Sequence, residues 1–507
     1  MPSPDDEARA FLETSHLYRL GHLATEARHP LTWGLSTWAK DDLSHAFAAL
    51  TAIDIQALTV LQRSAPAIAA LRGDMRAALD RPARIFLCGC GATGRLSLLL
   101  ESLWRAQHGP DDDRVCAFMA GGDVALVHSL EGFEDYPEYG ARHLRELGFG
   151  SDDLLVACTE GGETPYVIGA VEEAARLSRH SPWFLYCNPD DLLVAHVERS
   201  RRVIESPDIR KINLTVGPMA LAGSTRMQAS TVLQLAVGYA LLTDHDANTL
   251  AVRMATLAEA VATYSQGLQP FTERESAVYA SGRFVLHAAE TCPLTIFTDT
   301  TERAPTFSLS PMSNRPSGVT PSLGYVMIPA AASPAEAWRQ LLGRAPRALD
   351  WPEIDERTRP AYVEAFDFSA GAQQFRERQL HGAGQEVFHI SGPGIGFSFL
   401  DAELEVPLDP SWRPLERQTL LKMLLNQHST LVMGRLGRYE SNIMTWVSPN
   451  NGKLVDRAAR YARYLLADRG VNCTYEDVVF ELFRQRERTA VDESVVMRVT
   501  ESLSSNV

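Results

Sequence analysis

Lysine is nearly absent from this chain. Four occur in 507 residues, Lys40, Lys211, Lys422 and Lys453, and the remaining cations are arginines. A lysine position therefore carries more information here than usual. Lys and Arg together number 48 against 63 Asp and Glu, a formal net charge of -15. With no net cationic field, a nucleic-acid partner is excluded. Unbroken apolar runs all fall short of the roughly 18–20 residues that span a bilayer, and the acidic start MPSPDDEARA is unlike a signal peptide, so no membrane partner is expected. Cysteine is sparse and odd in number, seven, mostly within apolar strand-like runs. That pattern predicts reduced thiols in a cytoplasm and no disulfide framework. The 14 histidines lack HxxxH or HExxH spacing, and no metal is expected.

What is present is an ordinary globular composition, 45% apolar and 22% charged, long enough for about three domains or lobes. Residues 1–80 read as helical. From residue 84 short apolar strands alternate with helices: strands at 84–88, 115–119, 154–158, 183–187 and 212–216, helices at 96–107, 137–147, 165–178 and 225–242. Such alternation predicts parallel sheet covered on both faces. The second half is less regular, with a helix at 251–264, strands at 283–288, 324–328 and 385–390, long loops at 303–324 and 343–360, and helices within 415–436, 452–466 and 475–485. This weaker echo of an α/β unit suggests a duplicated domain with one copy better kept.

Two glycine-rich turns stand out. Gly89-Cys90-Gly91-Ala92-Thr93-Gly94-Arg95 follows a strand and opens a helix. It spells the GxGxxG dinucleotide fingerprint, yet the next strand ends in Phe118-Met119-Ala120 with no acid for a ribose. The alternative is a loop whose N–H groups and Thr93 hydroxyl hold a small anion or sugar. The second turn, Thr159-Glu160-Gly161-Gly162-Glu163-Thr164-Pro165, has Pro165 at the first helical position. Its two acids suit a helix N-terminus, but either would repel a phosphate.

Several elements, in order, resemble a known family. They are Thr25-Glu26…His29-Pro30, Ala120-Gly121-Gly122-Asp123…Leu130-Glu131-Gly132-Phe133-Glu134-Asp135, Thr164-Pro165-Tyr166-Val167-Ile168-Gly169, Cys187-Asn188-Pro189 and Val216-Gly217-Pro218. They continue with Gly223-Ser224-Thr225-Arg226-Met227, Gly437…Asn442-Ile443-Met444 and Asn451-Gly452-Lys453-Leu454. Together they resemble the sugar isomerase (SIS) domain proteins that include N-acetylmuramic acid 6-phosphate etherases and the glucokinase regulatory protein. The layout is closer to the latter. It implies an α/β protein of two SIS-like three-layer αβα domains with parallel sheets, forming an internal pseudo-dimer flanked by helical ends. The expected boundaries are 1–75, 76–245, 246–435 and 436–507. The second domain lacks a glycine-rich loop of its own, so one ligand site is expected.

The resemblance implies two catalytic glutamates. One carries over to Glu134. The first domain has Leu103 where the second acid should stand, and Glu101, two residues away, reads as a solvated helix residue. Asp299-Thr300-Thr301-Glu302-Arg303-Ala304-Pro305-Thr306-Phe307 in the second domain fits the family's D-A-S-E-x-P-P-T-F/Y element, which points to Glu302. Substrate contacts are implied for Thr93, Gly94, Thr159, Gly161, Glu163, Thr164, Ser224, Arg226, Asn451 and Lys453, with no cofactor. Gly161 and Glu163 replace a serine and an arginine of the family loop, and Ala92 a hydroxyl. The expected activity is an etherase-like elimination from a 3-O-substituted amino sugar or sugar (phosphate). A non-catalytic sugar-phosphate-sensing regulator with a protein partner, a sugar isomerase and a nicotinamide enzyme are the competing readings.

Overall fold

The computed structural model describes residues 3–130, 132–313, 320–490 and 493–505. The first sheet consists of β1 (Ile85–Gly89), β2 (Val115–Met119), β3 (Leu154–Cys158), β4 (Trp183–Tyr186) and β5 (Arg210–Asn213). Its order is β2-β1-β3-β4-β5 and every pairing is parallel. All residues of β1 to β4 are buried, as expected where helices cover both faces of an apolar sheet. Strand order reverses between β1 and β3. A crevice therefore opens beyond their carboxyl ends, and both glycine-rich turns lie there.

The second sheet consists of β6 (Phe284–Ala289), β7 (Gly324–Met327), β8 (Gln385–Ser391), β9 (Ile395–Phe399) and β10 (Ala402–Val406), in the order β10-β9-β8-β6-β7. The parallel trio β7-β6-β8 repeats the arrangement β2-β1-β3. Two α/β units with helical ends are thus present, as the sequence predicts. The second sheet differs in being mixed, because β9 and β10 are antiparallel additions. Residues 392–394 join β8 to β9 and residues 400–401 join β9 to β10. Turns this short permit only antiparallel pairing.

Helices Gln228–Leu242 and Pro414–Arg435 pack together between the units. The first also meets the helix Ala92–His108 after β1, and the second meets Pro293–Phe307 after β6. Lys422 Nζ stitches the joint, donating to the carbonyls of Arg226 (2.9 Å) and Met227 (3.1 Å). The chain ends also converge. Pro4–Thr14 packs on Tyr475–Arg486, with Arg484 Nε 2.8 Å from Asp5 Oδ1.

Several sequence expectations need correction. The strand expected at 212–216 lies at Arg210–Asn213, because the Asn213 side chain accepts from Thr215 N–H (2.8 Å) and turns the chain out of the sheet. The loop expected from residue 303 begins only after Phe307, since Pro305 is accommodated inside the helix Pro293–Phe307; residues 314–319 of that loop lie outside the described residues. Helices Gln269–Ala280 and Val495–Ser504 were not anticipated. The helix Leu43–Arg63 is 21 residues long and apolar enough to cross a membrane by length and composition, which a search for unbroken runs does not register. Here it packs against Ala247–Tyr264, and its buried Asp54 accepts from Gln427 Nε2 (2.8 Å).

Candidate functional site

A cleft of about 670 Å³ opens at the β1/β3 switch point and is closed by the second unit and the C-terminal helices. That volume suits a monosaccharide derivative. Its floor is the turn after β1. Gly91 there has φ +52°, a conformation glycine adopts without steric cost. Gly94 lies behind the floor, where a Cβ would stand 2.5 Å from Met119 Cβ. Its role is close helix–strand packing. Thr93 is also turned inward: its Oγ1 accepts from Cys90 N–H (3.0 Å) and donates to Cys90 O (2.8 Å), and the residue is fully buried. The fingerprint glycines thus serve the turn itself. Asp123, the first acid beyond β2, is held by Arg344 Nη1 (2.5 Å) and Arg347 N–H (2.7 Å), which leaves it unavailable to a ribose.

Glu134 and Glu302 reach this floor from different units. The backbone carbonyl of Glu134 accepts from Tyr166 N–H (3.0 Å), fixing its turn to the helix Pro165–Leu177. Its Oε2 lies 3.7 Å from Cys90 Sγ. Glu131, of the same element, lies outside the described residues. Glu302 projects from Pro293–Phe307 and accepts from Arg95 Nη1. A Cβ on Gly91 would stand 3.6 Å from Glu302 Oε1. The two carboxyls therefore flank consecutive residues, Cys90 and Gly91.

Of the other expected residues, Gly161, Glu163, Thr164, Ser224, Arg226 and Lys453 line the cleft. Thr159 lies behind it, sharing a hydrogen bond with Thr164 through their hydroxyls (2.9 Å). Asn451 caps the helix Gly452–Asp468, accepting from Leu454 N–H (2.9 Å). This cap points the helix start, and Lys453 with it, into the cleft. Lys453 Nζ is 2.9 Å from Glu163 Oε1 and 4.0 Å from Glu134 Oε1. Burial opposes the lysine's charge, but Glu134 and Glu163 outweigh it and hold its pKa above the ordinary value. Glu163 Oε2 also meets Arg199 Nη2 at 2.5 Å. Burial alone would raise the Glu163 pKa; Lys453 and Arg199 reverse this and bring it down to about 2. Glu163 is thus the counter-ion of two cations, not a bare charge facing the ligand. Arg226 is likewise engaged, with Nη1 2.8 Å from Asp299 Oδ1 in the second unit.

Three contributors were not among the site residues expected from sequence. Arg95 ties Glu302 to the first unit and donates to the Leu126 carbonyl (3.3 Å); its signal was a lone cation in the first turn of an apolar helix. Glu26, inside a recognised element, meets Arg457 Nη2 (2.5 Å) and Arg460 Nη2 (2.9 Å). Burial would raise its pKa, yet the two guanidiniums lower it to about 2. Glu160 also lines the cleft. Glu101, expected to be solvated, is instead buried and bridges Arg344 (2.9 Å) and Arg347 (2.7 Å). The sequence of its own helix did not reveal partners more than 240 residues away.

The recognised elements meet around this cleft. Asn188 Nδ2 donates to Thr25 Oγ1 (2.9 Å) and to the Gly161 carbonyl (2.9 Å). Gly223 N–H donates to Thr25 O (3.1 Å), and Ala222 N–H to Asn442 O (2.9 Å). The family model for the glucokinase regulatory protein N-terminal SIS domain matches residues 68–175. N-acetylmuramic acid 6-phosphate etherase 2 of Vibrio cholerae is 33% identical over 216 residues, covering 43% of this chain and 66% of that protein. The etherase of Serratia proteamaculans is 33% identical over 216 residues, covering 43% of this chain and 68% of its own. Tagatose-6-phosphate ketose/aldose isomerase of Escherichia coli superposes with a TM-score of 0.44 at 14% identity, over 79% of this chain and 97% of that one. The chain belongs to the SIS-domain family of N-acetylmuramic acid 6-phosphate etherases and the glucokinase regulatory protein. The match to the Vibrio protein spans just under two thirds of that relative's length.

Proposed function

We propose that the chain is a carbon–oxygen lyase of etherase type, with Glu134 and Glu302 as the acid/base pair of an elimination on a 3-O-substituted sugar. The observation that carries this reading is the meeting of two carboxyls, one from each α/β unit, beside Cys90 and Gly91. In such a reaction one carboxylate takes the proton next to the carbonyl of the open-chain sugar. The C–H electron pair forms the new double bond, the C–O bond breaks towards oxygen, and the second carboxyl protonates the departing alkoxide. Lys453 stabilises the developing enolate oxygen. The relatives' names support N-acetylmuramic acid 6-phosphate or a close analogue as substrate. A second reading, a sugar-sensing regulator, is favoured by the regulatory-protein family match and by the two-unit layout.

The test is release of lactate from N-acetylmuramic acid and its 6-phosphate, measured with a lactate dehydrogenase couple. Turnover should fall roughly 10²–10⁴-fold in both Glu134→Gln and Glu302→Gln, with ligand binding retained by calorimetry. Binding without turnover in the wild type rejects the lyase and favours the regulator.

A further inference from the structure

A phosphate monoester is held by unspent N–H groups at helix starts, by hydroxyls and by cations that lack a counter-ion. Much of that equipment is spent within the protein here. In the turn after β1, Cys90 N–H is taken by Thr93 Oγ1 (3.0 Å), and the same hydroxyl donates back to Cys90 O (2.8 Å). In the turn after β3, the hydroxyls of Thr159 and Thr164 bond each other (2.9 Å). The helix beyond opens with Pro165, which has no N–H, and its Tyr166 N–H goes to Glu134 O (3.0 Å). Among the described residues four cations line the cleft, Arg95, Arg226, Lys453 and Arg457, and each faces a protein carboxylate. Six glutamates line the same wall. Burial is the main force that pushes the pKa of one of them, Glu160, up to about 8; Glu302 adds to it, and Lys453 and Lys422 oppose it. A wall that resists one more negative charge resists a dianion more strongly.

Glu163 sits at the centre of this arrangement. Its carboxylate takes Lys453 Nζ at 2.9 Å and Arg199 Nη2 at 2.5 Å, and Arg199 Nε also donates to the Glu163 carbonyl (2.5 Å). The side chain folds back over Gly161, where a Cβ would stand 3.2 Å from Glu163 Cγ and 3.5 Å from its Oε1. The two departures from the family loop, glycine for serine at 161 and glutamate for arginine at 163, therefore belong together. One clears space over the turn, and the other fills that space with a negative charge. We propose that Glu163 is a built-in anion in the place a ligand phosphate would occupy, and that the cleft accordingly takes an unphosphorylated sugar and discriminates against its 6-phosphate. The cations that could clamp a phosphate are closed on Glu163, and a phosphate entering beside it would meet a carboxylate first.

This inference rests on the cleft being the sugar site proposed above, and its test reads binding alone. N-acetylmuramic acid and N-acetylglucosamine are titrated calorimetrically at pH 7, each beside its own 6-phosphate, into wild type and Glu163→Gln. Wild type should bind each free sugar about tenfold or more tighter than its 6-phosphate. In Glu163→Gln that preference should shrink by about tenfold, because Lys453 and Arg199 lose their carboxylate. Circular dichroism melts report whether the variant is folded, and the wild-type comparison decides the matter by itself if it is not. 6-Phosphates bound by wild type as tightly as the free sugars, or an unchanged preference in folded Glu163→Gln, would overturn the inference and leave the sugar site standing. Failure of wild type to bind any of these sugars would overturn it together with the sugar-site reading. Neither outcome depends on the lyase chemistry, since N-acetylglucosamine carries no ether to eliminate.

Discussion

Replacing Glu163 by Gln tests the electrostatic design of the cleft. The side chain lies 2.9 Å from Lys453 Nζ and 2.5 Å from Arg199 Nη2. Its pKa of about 2 compares with an ordinary 4.5. A gap of this size corresponds to on the order of 3 kcal/mol of folding stability at neutral pH. The sign follows from the direction of the shift. A depressed carboxyl contributes in full above its unfolded pKa, and the contribution is lost as pH falls from about 4.5 towards 2. Glu163→Gln removes the charge and leaves two cations sharing one corner. Lys453 and Arg199 remain 19% and 24% exposed at their side chains, so water recovers part of the loss. About 2–3 kcal/mol of destabilisation is expected at pH 7, and about 1 kcal/mol less at pH 4. Urea melts of both proteins at the two pH values measure this. The variant should also bind sugar 6-phosphates roughly tenfold tighter, because Lys453 and Arg199 lose their counter-ion. Replacement by Arg, suggested by the like-charge reading of the sequence, would instead crowd three cations together. Equal stability at pH 7, or a difference that grows as the pH falls, would refute the reasoning.

Two further outcomes follow from one contact between the units and one within the first. Glu101→Gln leaves Arg344 and Arg347 without their buried carboxylate, whose pKa of about 2 reflects those arginines overcoming burial; a loss of about 3–5 kcal/mol and faster proteolysis within residues 343–360 are expected, and an unchanged digestion pattern would count against the clamp. Gly94→Ala places a methyl 2.5 Å from Met119 Cβ; the helix Ala92–His108 must shift, costing about 1–3 kcal/mol and weakening sugar binding, while a variant that melts and binds like wild type would show that the packing has slack.

Strands β1 to β4 of the first sheet were legible because they are short, apolar and separated by glycine and proline turns, whereas β5 is mostly polar. Expected and observed bounds coincide for β2 and β3. The hairpin β9–β10 was not legible. Gly396 and Glu403 interrupt its apolar pattern, and its outer strand is half exposed. Glu134, Glu302 and Lys453 could be named from short elements, since local motifs survive in sequence even when spatial partners do not. The partnerships were hidden for the same reason. Glu163 reads locally as a repulsive acid, and only the fold brings in Arg199 from the helix Glu198–Glu205 and Lys453 from a helix near the chain's end. Glu101 shows the same limit: its arginines come from a loop of the other unit.

The charges around the cleft are held in pairs, and most pairs join distant stretches of chain. Arg95 of the first unit takes Glu302 of the second, and Arg226 takes Asp299. Glu163 takes Lys453, and Glu26 near the start takes Arg457 and Arg460 near the end. Pairs between such distant stretches do little for local structure. They matter to the assembled whole, because removing one partner strands a buried charge. The cleft therefore exists in its working form only when both units and both helical ends are docked. This accounts for a second α/β unit without a glycine-rich turn of its own. Its helix after β6 opens at Cys292 instead, and that helix supplies Glu302 to the first unit's turn and Asp299 to Arg226. The second unit completes one site rather than building another, and its sheet is free to take on the antiparallel strands β9 and β10 at an edge remote from β7.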